Sequence, residues 1–583
     1  MTAYTPPLDD MRFVLNQLVD LEALSRLPGY EAATPDLVAQ VLEEAAKLAA
    51  NELAPLNAPG DRERARLENG VVRTPEGFKD AYRKFIDGGW HGLAFPERWG
   101  GQGLPWTVAT AVLEMWQAAN KSFALCPVLT QAGVELLLHY GTEEQQRRYL
   151  PKLVSGEWAG TMCLTEPQAG SDVGALKTRA EREGDHYRIR GTKIFITYGE
   201  HDLTENIIHM VLARTPDAPA GSKGISLFLI PKFLLNEDGS LGARNDLRCV
   251  SLEHKLGIHA SPTCVMSFGD NDGAIGYLVG EEQGGMRAMF TMMNNARLAV
   301  GLEGLAIAER AYQAALAYAK ERVQGRRPNG GAAPARIIEH PDVRRALLTM
   351  KVQIEAMRAL AYLAAAALDH ARHAPDPAAR ARAQGRLELL IPLVKAWCTD
   401  LGFELASSAL QVHGGMGYIE ETGVAQHLRD ARIAMIYEGT NGIQAQDLVG
   451  RKLHIADGQL PWMLFAELEE DLAALEAAGE HDLRAQLRDA LDALEQATRW
   501  LQADHDDEDA RAAGATPYLR MFATTLGGFL LARSALAARR VDPAVAEAKL
   551  AGARFYAAQL LPPASALLAA VTAGAAPLTA ALG

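Results

Sequence analysis

The sequence predicts an α+β protein that is mainly helical, with one β-rich domain set between helical domains. Apolar residues recur at helical spacing over most of the 583 residues. Short β-rich runs cluster in one middle region. The chain is longer than one hydrophobic core supports, so we expect four domains, with boundaries at 1–160, 161–282, 283–455 and 456–583.

The first region is predicted to be mainly helical from about 36 to 155. VAQVLEEAAKLAANEL (38–53) and VATAVLEMWQAANKSFAL (108–125) both place apolar residues at helical spacing. HGLAFPERWGGQGLP (91–105) lies between them and contains four glycines and two prolines, which is typical of a loop.

The second region, about 161–282, has the texture of a sheet. Its runs are short, rich in β-branched and aromatic residues, and interrupted by Gly, Asp or Pro. They are HYRIRGTKIFIT (186–197), NIIHMVLART (206–215), GISLFLIPKF (224–233) and TCVMSFGD (263–270). This pattern predicts a compact sheet or small barrel.

The helical period returns at 286 and continues to the end of the chain. We expect long helices from 286, at about 341–373 and at 378–412, and a polar loop at 325–335. The turn-rich segment HGGMGYIEETG precedes a short helix that ends near 435. MIYEGTNGIQ (435–444) is followed by another helix to about 453, and an Ala- and Leu-rich helical domain follows.

Composition excludes several classes of function. The net charge of −14 argues against a partner bound through phosphate neutralisation. The five cysteines are far apart, so we expect free thiols in a reducing, cytoplasmic compartment, with no metal site. No secretory signal is expected. The tail from Leu560 to Gly583 is the one long apolar stretch, and its prolines and Gly574 argue against a membrane span.

Three polar segments have an ordinary structural interpretation when each is considered alone. LTEPQAGSDVGALKTRA (164–180) is typical of a capped loop. GTKIFITYG places Phe195 and Thr197 on one face of a strand, which is more often a core Phe beside a surface Thr. QVHGGMGYIEE has paired glycines after a helix, as at a left-handed C-cap.

Together, the segments resemble a known family. LTEPQAGSD, KIFIT, QVHGGMGY, HLRDARI and IYEGTNGIQ resemble, in order, the signature segments of the acyl-CoA dehydrogenase family over about 36–453. The added C-terminal domain and LENGVVRTPEGFKDAYRKF look most like the bacterial extended group that contains 3-(methylthio)propanoyl-CoA dehydrogenase. The expected fold is therefore a helical domain, a β-barrel-like domain, a helical bundle and an extra helical domain.

The resemblance implies a noncovalent FAD between the β-domain and the following helices. Thr165 matches the hydroxyl at the flavin pyrimidine edge, and Thr197 the hydroxyl near flavin N5. Phe195 stands where many members have a Trp against the isoalloxazine. The other FAD contacts implied by the resemblance are Ser171, Arg322, Gln411, Gly414, Gly415 and Thr440. Arg322 would reach the pyrophosphate of a neighbouring subunit, although Gln324 and Gly325 depart there from the family pattern.

The reaction implied is α,β-dehydrogenation of an acyl-CoA thioester, with Glu438 removing the α-proton. Arg297 and Tyr437 match substrate-pocket positions, although Tyr437 is equally interpretable as a packed core aromatic. The apolar run Ile433–Ile436 is expected to bury Glu438 and so raise its pKa. We expect an electron-transfer flavoprotein as acceptor, a homodimer, and no nucleic acid.

Four alternatives remain. One is a fatty acyl-CoA dehydrogenase of medium- or long-chain β-oxidation. A second is a nucleic-acid-binding stress-response flavoprotein of the same fold; it would need a basic C-terminal domain, whereas 457–583 carries 18 acidic and 10 basic side chains, a net charge of −8. The others are an acyl-CoA oxidase, and an inactive scaffold, against which the retained Glu438 argues.

Overall fold

The computed structural model describes residues 3–327, 330, 333–503 and 508–580, apart from the side chains at 294, 295 and 579. The chain forms two compact units, and each is built from separate stretches of sequence. The first unit comprises Met1–Ala46, Pro105–Ala118 and Val300–Gly583. The second unit comprises Lys47–Leu104 and Ala119–Ala299.

The helices account for most of the structure, with short 3-10 and π segments between some of them. They are α1 (Leu8–Phe13), α2 (Leu21–Leu24), α3 (Pro35–Leu48), α4 (Ala54–Glu63), α5 (Phe78–Asp87), α6 (Trp106–Tyr140), α7 (Glu143–Ser155), α8 (Gly285–Glu321), α9 (Pro341–His373), α10 (Pro377–His413), α11 (Val424–Ala431), α12 (Asn441–Gly450), α13 (Gln459–Ala477), α14 (His481–Gln502), α15 (Glu508–Ala538), α16 (Pro543–Gln559), α17 (Leu561–Ala566), α18 (Leu568–Thr572) and α19 (Ala576–Ala580).

The strands lie mainly between 158 and 278. They are β1 (Arg66–Glu68), β2 (Val71–Arg73), β3 (Trp158–Cys163), β4 (Arg179–Glu183), β5 (His186–Thr197), β6 (Asn206–Ala213), β7 (Ser226–Pro231), β8 (Phe233–Leu235), β9 (Leu241–Arg244), β10 (Leu247–Leu252), β11 (Thr263–Phe268), β12 (Ala274–Leu278), β13 (Val323–Arg326) and β14 (Pro334–Arg336).

One curled sheet dominates the second unit. Its strand order is β10-β11-β5-β12-β7-β6-β3, with β4 also paired to β5. All of these pairs are antiparallel except β3 with β6. The enclosed face packs apolar side chains such as Ile189, Phe228 and Met266, and burial of this surface stabilises the unit.

Long helices form the framework of the first unit, and two of them cross at very close range. A Cβ atom added to Gly304 on α8 would lie 2.0 Å from the backbone oxygen of Cys398 on α10. A Cβ added to Gly402 on α10 would lie 2.5 Å from the Cα of Gly304. Only glycine permits this backbone approach, so the two positions fix how α8 and α10 meet.

The C-terminal helices from α13 onward extend the same unit. Most of α15 is buried, and its Gly527 leaves only 2.9 Å between a Cβ position and the ring of Trp397 on α10. Lys549 on α16 donates to Asp10 at 2.5 Å and to Glu355 at 3.2 Å. The added helices therefore share a core and an ion-pair network with the rest of the unit.

The predicted mainly helical α+β class with an extra helical domain is confirmed, and the four domain boundaries stay predictions. Several elements differ from expectation. The sequence did not predict α1, α2 or the hairpins β1–β2 and β13–β14. The segment predicted as a loop at 325–335 contains parts of β13 and β14, and residues 328, 329, 331 and 332 lie outside the described residues.

The expectation of one long apolar stretch was wrong. Within the described part of the chain, three helical segments could cross a membrane by length and composition: 106–140, 508–538 and 543–572. In the first two, 83% of the apolar window is buried inside the protein, whereas in the third 28% is buried. Core packing explains the apolar character of the first two. The absence of a membrane span stays a prediction.

Candidate active site

The segment around Glu438 has an unusual backbone. A 3-10 turn ends at Met435, and α12 begins with Thr440 as its N-cap, whose hydroxyl accepts a hydrogen bond from the Ile443 amide at 3.2 Å. Between them, Glu438 has φ of 54° and Gly439 has φ of 84°. A non-glycine residue in this left-handed region is strained, and such strain is common at functional sites.

Glu438 is less buried than the sequence predicted. Of the preceding apolar run, only Ala434 is buried, and Ile436 is 47% exposed. Glu438 itself is half-buried. The apolar run therefore encloses Glu438 only in part, because Ile436, which follows the 3-10 turn, faces solvent.

The residue before Glu438 is held by a buried carboxylate. The hydroxyl of Tyr437 donates a hydrogen bond to Glu303 on α8, and the Glu303 side chain is fully buried. Burial raises the pKa of Tyr437 well above its usual value, and the charge of Glu303 raises it further. The phenol therefore stays protonated and remains a donor at neutral pH.

Asn441, two residues after Gly439, is held by side chains of α10. The Asn441 amide nitrogen donates to Asp400 at 2.6 Å and to the hydroxyl of Thr399 at 3.0 Å. The amide oxygen of Asn441 accepts from the ammonium of Lys395 at 2.8 Å, and Lys395 is fully buried. The segment 437–441 is thus fixed on both sides of Glu438 by hydrogen bonds to α8 and α10.

The TEPQAGSD loop of the second unit is pinned by an internal ion pair. The Glu166 carboxylate accepts from the Lys193 ammonium at 2.8 Å, from the Thr178 hydroxyl at 2.6 Å and from the Lys177 amide at 2.7 Å. Burial raises the pKa of Glu166, but Lys193 and these hydrogen bonds outweigh burial and lower it to about 2. The pair holds the loop against β5.

The loop pairs with strand β5 near two other predicted residues, Phe195 and Thr197. The Ile194 amide donates to the backbone oxygen of Thr165 at 2.9 Å, so Thr165 lies beside the residue that precedes Phe195. Ile194 and Phe195 oppose the single residue Val265, which makes a β-bulge at this point. Thr165 and Thr197 are half-buried, whereas Ile196 between Phe195 and Thr197 is buried.

Phe195 has two features that are unusual for an aromatic residue in a strand. Its φ is 60°, in the left-handed region, and its side chain is 59% exposed. An exposed aromatic on a strained backbone costs both hydration and conformational energy. Stacking of a planar ligand ring on Phe195 would recover part of that cost.

The remaining predicted positions in the first unit lie at the C-terminal ends of α8 and α10. Tyr318 on α8 stacks on His413 on α10 with ring centroids 4.5 Å apart, so the two ends adjoin. The four predicted contacts at these ends are all exposed: Arg322, Gln411, Gly414 and Gly415. Gly414 has φ of 60° and ψ of −143°, so the predicted positive φ is confirmed, but the backbone is not the helical left-handed cap.

Two predicted positions lie elsewhere. Ser171 is exposed at the end of the TEPQAGSD loop. Arg297 lies within α8 in the second unit and is 4% exposed, so its side chain is buried. Among the described residues, no group of three or more His, Cys, Asp or Glu side chains is arranged to hold a metal ion.

Comparison with family models decides the relationship. The N-terminal, middle and C-terminal domain models of acyl-CoA dehydrogenase match residues 37–157, 161–271 and 283–453. A model described as acetyl-CoA dehydrogenase C-terminal like matches 464–581. The chain belongs to the acyl-CoA dehydrogenase family. The resemblance seen in the sequence is thereby confirmed.

Individual relatives agree with this assignment. The chain is 48% identical to the 3-methylmercaptopropionyl-CoA dehydrogenase of Ruegeria pomeroyi, over 96% of each chain. It is 36% identical to a butyryl-CoA dehydrogenase of Syntrophomonas wolfei, over 96% of this chain and 95% of that one. The solved acyl-CoA dehydrogenase of Bacillus anthracis complexed with FAD has a TM-score of 0.75 and 20% identity, over 92% of this chain and 87% of that chain.

This acyl-CoA dehydrogenase is a flavin-dependent oxidoreductase that uses FAD. Its residues fit that cofactor. The exposed ring of Phe195 suits stacking on a flavin, and the neighbouring hydroxyls of Thr165 and Thr197 suit its polar edge. At Gly414 and Gly415 an added Cβ would meet nothing within 4 Å, so the backbone is open to close ligand approach. The individual contacts stay predictions.

The structure adds supporting residues that the sequence did not reveal in this acyl-CoA dehydrogenase. These residues hold the predicted ones in position, and their charged members are buried: Glu166, Lys193, Glu303 and Lys395. Asn441, which pairs with Lys395, is half-buried. The sequence does contain a sign of these residues, namely a charged residue inside an otherwise apolar pattern, as at Lys193 in KIFIT and Glu303 in LAVGLEGLA. Buried charges of this kind need a partner, which a single sequence does not name.

Proposed function

We propose that this acyl-CoA dehydrogenase oxidises 3-(methylthio)propanoyl-CoA to its 2-enoyl thioester, with Glu438 as the base that removes the α-proton. The observation that supports the substrate most strongly is the 48% identity with the Ruegeria pomeroyi enzyme over 96% of both chains. The observation that supports the base is a carboxylate held at φ of 54° between two anchored residues.

The chain's own residues would act as follows. FAD, when bound, would accept the β-hydrogen as a hydride. The carboxylate of Glu438 would take the α-proton, and its backbone N–H would donate to the thioester oxygen as negative charge develops there. The hydroxyls of Thr165 and Thr197, the ring of Phe195 and the guanidinium of Arg322 would orient the cofactor. Gly439 allows the left-handed turn that directs Glu438.

The base is tested by Glu438→Gln. We expect the variant to retain FAD and to lose reduction of the flavin by acyl-CoA by at least 1000-fold, because the amide accepts no proton at neutral pH. Glu303→Gln is the matched control, since Glu303 is a buried carboxylate that contacts the same segment. Flavin bleaching in Glu438→Gln at the wild-type rate would refute the assignment.

The substrate is tested with a panel of thioesters. We expect the highest kcat/KM with 3-(methylthio)propanoyl-CoA and comparable values with butyryl-CoA, which has a chain of similar length. The second candidate is a fatty acyl-CoA dehydrogenase of medium- or long-chain β-oxidation, which the resemblance alone supports. Highest kcat/KM with a C8 to C16 thioester would favour that candidate instead.

We also propose an electron-transfer flavoprotein as acceptor, a homodimer and a cytoplasmic location. The acceptor proposal rests on the family resemblance. Comparing reoxidation of the reduced protein by an electron-transfer flavoprotein and by oxygen distinguishes it from an acyl-CoA oxidase, which would favour oxygen. Fractionation of cells, with detection of the protein in the soluble or membrane fraction, tests the location.

A further inference from the structure

A fully buried carboxylate stands on α8 without a role in the reaction described above. The side chain of Glu303 is 0% exposed, and its helical neighbours Leu302 and Leu305 are buried apolar residues. Placing a carboxylate in such surroundings is costly unless hydrogen bonds compensate for lost water. If position 303 served packing alone, a leucine there would cost less free energy than a glutamate.

Glu303 accepts a hydrogen bond from the residue next to the proposed base. Its donor is the hydroxyl of Tyr437, which immediately precedes Glu438 in the chain. The backbone of Glu438 is strained at φ of 54°, and a strained conformation persists only when its surroundings hold it. The hydrogen bond between Tyr437 and Glu303 restrains the chain immediately before the strained residue Glu438.

The helix that carries Glu303 is itself closely fixed. Gly304, the next residue, meets α10 at Cys398, within one turn of Lys395 and Thr399. Those two residues hold Asn441 on the far side of Glu438. Glu303 and Lys395, which hold the two sides of Glu438, therefore lie on α8 and α10, and these helices pack closely at Gly304.

We propose that Glu303 is a positioning residue for the dehydrogenation reaction, which acts through Tyr437 to hold the Glu438 carboxylate in its reactive orientation. The inference rests on the proposed function of Glu438. Small misplacement of a catalytic group is expensive, with a loss on the order of 100-fold for about 1 Å. Loss of the Glu303–Tyr437 hydrogen bond should therefore lower the rate more than it weakens binding.

The test uses the holoenzyme and four variants: Glu303→Gln, Glu303→Leu, Tyr437→Phe and the double variant Glu303→Leu/Tyr437→Phe. The control is Tyr312→Phe, which removes the hydroxyl of a half-buried tyrosine on the same helix. Two quantities are measured with the best thioester of the panel: the flavin reduction rate at saturation, and the concentration that gives half of it. Urea unfolding of each protein supplies a third measurement that needs no turnover.

We expect Glu303→Leu and Tyr437→Phe each to lower the saturating rate roughly 10- to 100-fold, with the half-saturating concentration changed by less than about 3-fold. The double variant should be no slower than the slower single variant, because both changes break one interaction. Glu303→Gln should stay within about 3-fold of wild type, since its amide oxygen still accepts from Tyr437. The unfolding data should show the same non-additivity.

The inference is overturned if the single variants reduce flavin at the wild-type rate, or if their losses multiply in the double variant. A loss in Glu303→Leu that Glu303→Gln shares equally would also overturn it, because the hydrogen bond would then not be the cause. Failure of the proposed function looks different. In that case wild type is not bleached by any thioester, or Glu438→Gln is bleached as fast as wild type.

Discussion

At the scale of single residues, the proposed role of Glu438 depends on the backbone at 438 and 439. Glu438 and Gly439 are consecutive left-handed residues, and only the second is a glycine. Replacing Gly439 by alanine places a side chain at φ of 84°. We expect Gly439→Ala to lower the free energy of unfolding by about 1–2 kcal/mol, and to slow flavin reduction because Glu438 is displaced.

Urea unfolding and stopped-flow flavin reduction check this expectation. Gly442→Ala is a matched control three residues away, because an added Cβ there meets only the Thr440 hydroxyl at 3.8 Å, an ordinary contact. That variant should be neutral or slightly more stable, since alanine is favoured within a helix. Equal loss of activity in the two variants would contradict the proposed role of the left-handed turn.

Buried Glu166 gives a pH-dependent contribution to stability. Its pKa is about 2 in the folded protein, below its ordinary value of 4.5. A carboxyl with a depressed folded pKa stabilises the protein fully above its unfolded pKa, and this contribution is lost as the pH falls from 4.5 toward 2. We expect wild type to lose stability across that window and Glu166→Gln to lose less.

Thermal unfolding between pH 6 and pH 3 measures the difference. Lys193→Met removes the other partner of the ion pair and leaves the carboxylate of Glu166 buried without its cation. Removal of one partner from a buried ion pair costs about 3–5 kcal/mol. A parallel decline of wild type and Glu166→Gln with falling pH would exclude Glu166 as a source of the pH dependence.

The sequence predicted Phe195, Thr197 and Glu438 because they lie in short segments with a recognisable order. It did not reveal Lys193 or Glu303. Strict alternation along β5 would place Lys193 on the face of Phe195 and Thr197, but the bulge opposite Val265 shifts the alternation and turns Lys193 inward. A bulge depends on the partner strand, which a local pattern does not specify.

At the scale of elements, the crossing of α8 and α10 at Gly304 and Gly402 is closely constrained. The Cβ of Gly304→Ala would lie 2.0 Å from the backbone oxygen of Cys398, so the helices must separate. We expect a loss of about 1–3 kcal/mol in the free energy of unfolding, together with slower flavin reduction because Glu303 moves with α8.

Gly450→Ala serves as its control, because an added Cβ at the end of α12 meets nothing within 4 Å. That variant should match wild type in urea unfolding and in activity. If Gly304→Ala were as stable as Gly450→Ala, the close crossing would not constrain the unit in solution.

Long elements were predictable because many residues share one period, as in α8, α9 and α10. Short elements were not. Helix α1 has only six residues, and its Asp10 accepts from Arg358, which lies far along the chain. The β13–β14 hairpin occurs in a Gly- and Pro-rich stretch that locally favours a loop. A distant partner stabilises α1, and pairing between its two strands forms the hairpin; the local pattern identifies neither.

At the scale of the whole molecule, the C-terminal helices complete the first unit. Trp397 and Ala356 lie against Gly527 on α15, and Lys549 pairs with Asp10. A chain that ends at residue 455 would expose these surfaces. We expect the truncated protein to be insoluble or to unfold without a cooperative transition, as size-exclusion chromatography and circular dichroism would reveal. A soluble, FAD-containing fragment would show that the added helices are dispensable.

Three exposed apolar side chains between 416 and 419 are consistent with the proposed homodimer. Met416 is 51% exposed, Tyr418 87% and Ile419 45%, and the three follow directly after Gly414 and Gly415. Neighbouring exposed apolar side chains of this size are typical of an interaction surface. We expect light scattering to give a mass of about twice the 62.9 kDa of one chain.

Tyr418→Glu should convert the protein to a monomer, because an unpaired charge in an apolar interface is costly. The same variant should lose FAD if Arg322 contacts the cofactor of the partner, so mass and flavin content should fall together. Leu241→Glu changes an apolar residue of 38% exposure outside this stretch and should alter neither. A Tyr418→Glu monomer that keeps its full flavin content would separate association from cofactor binding and would assign Arg322 to the FAD of its own chain.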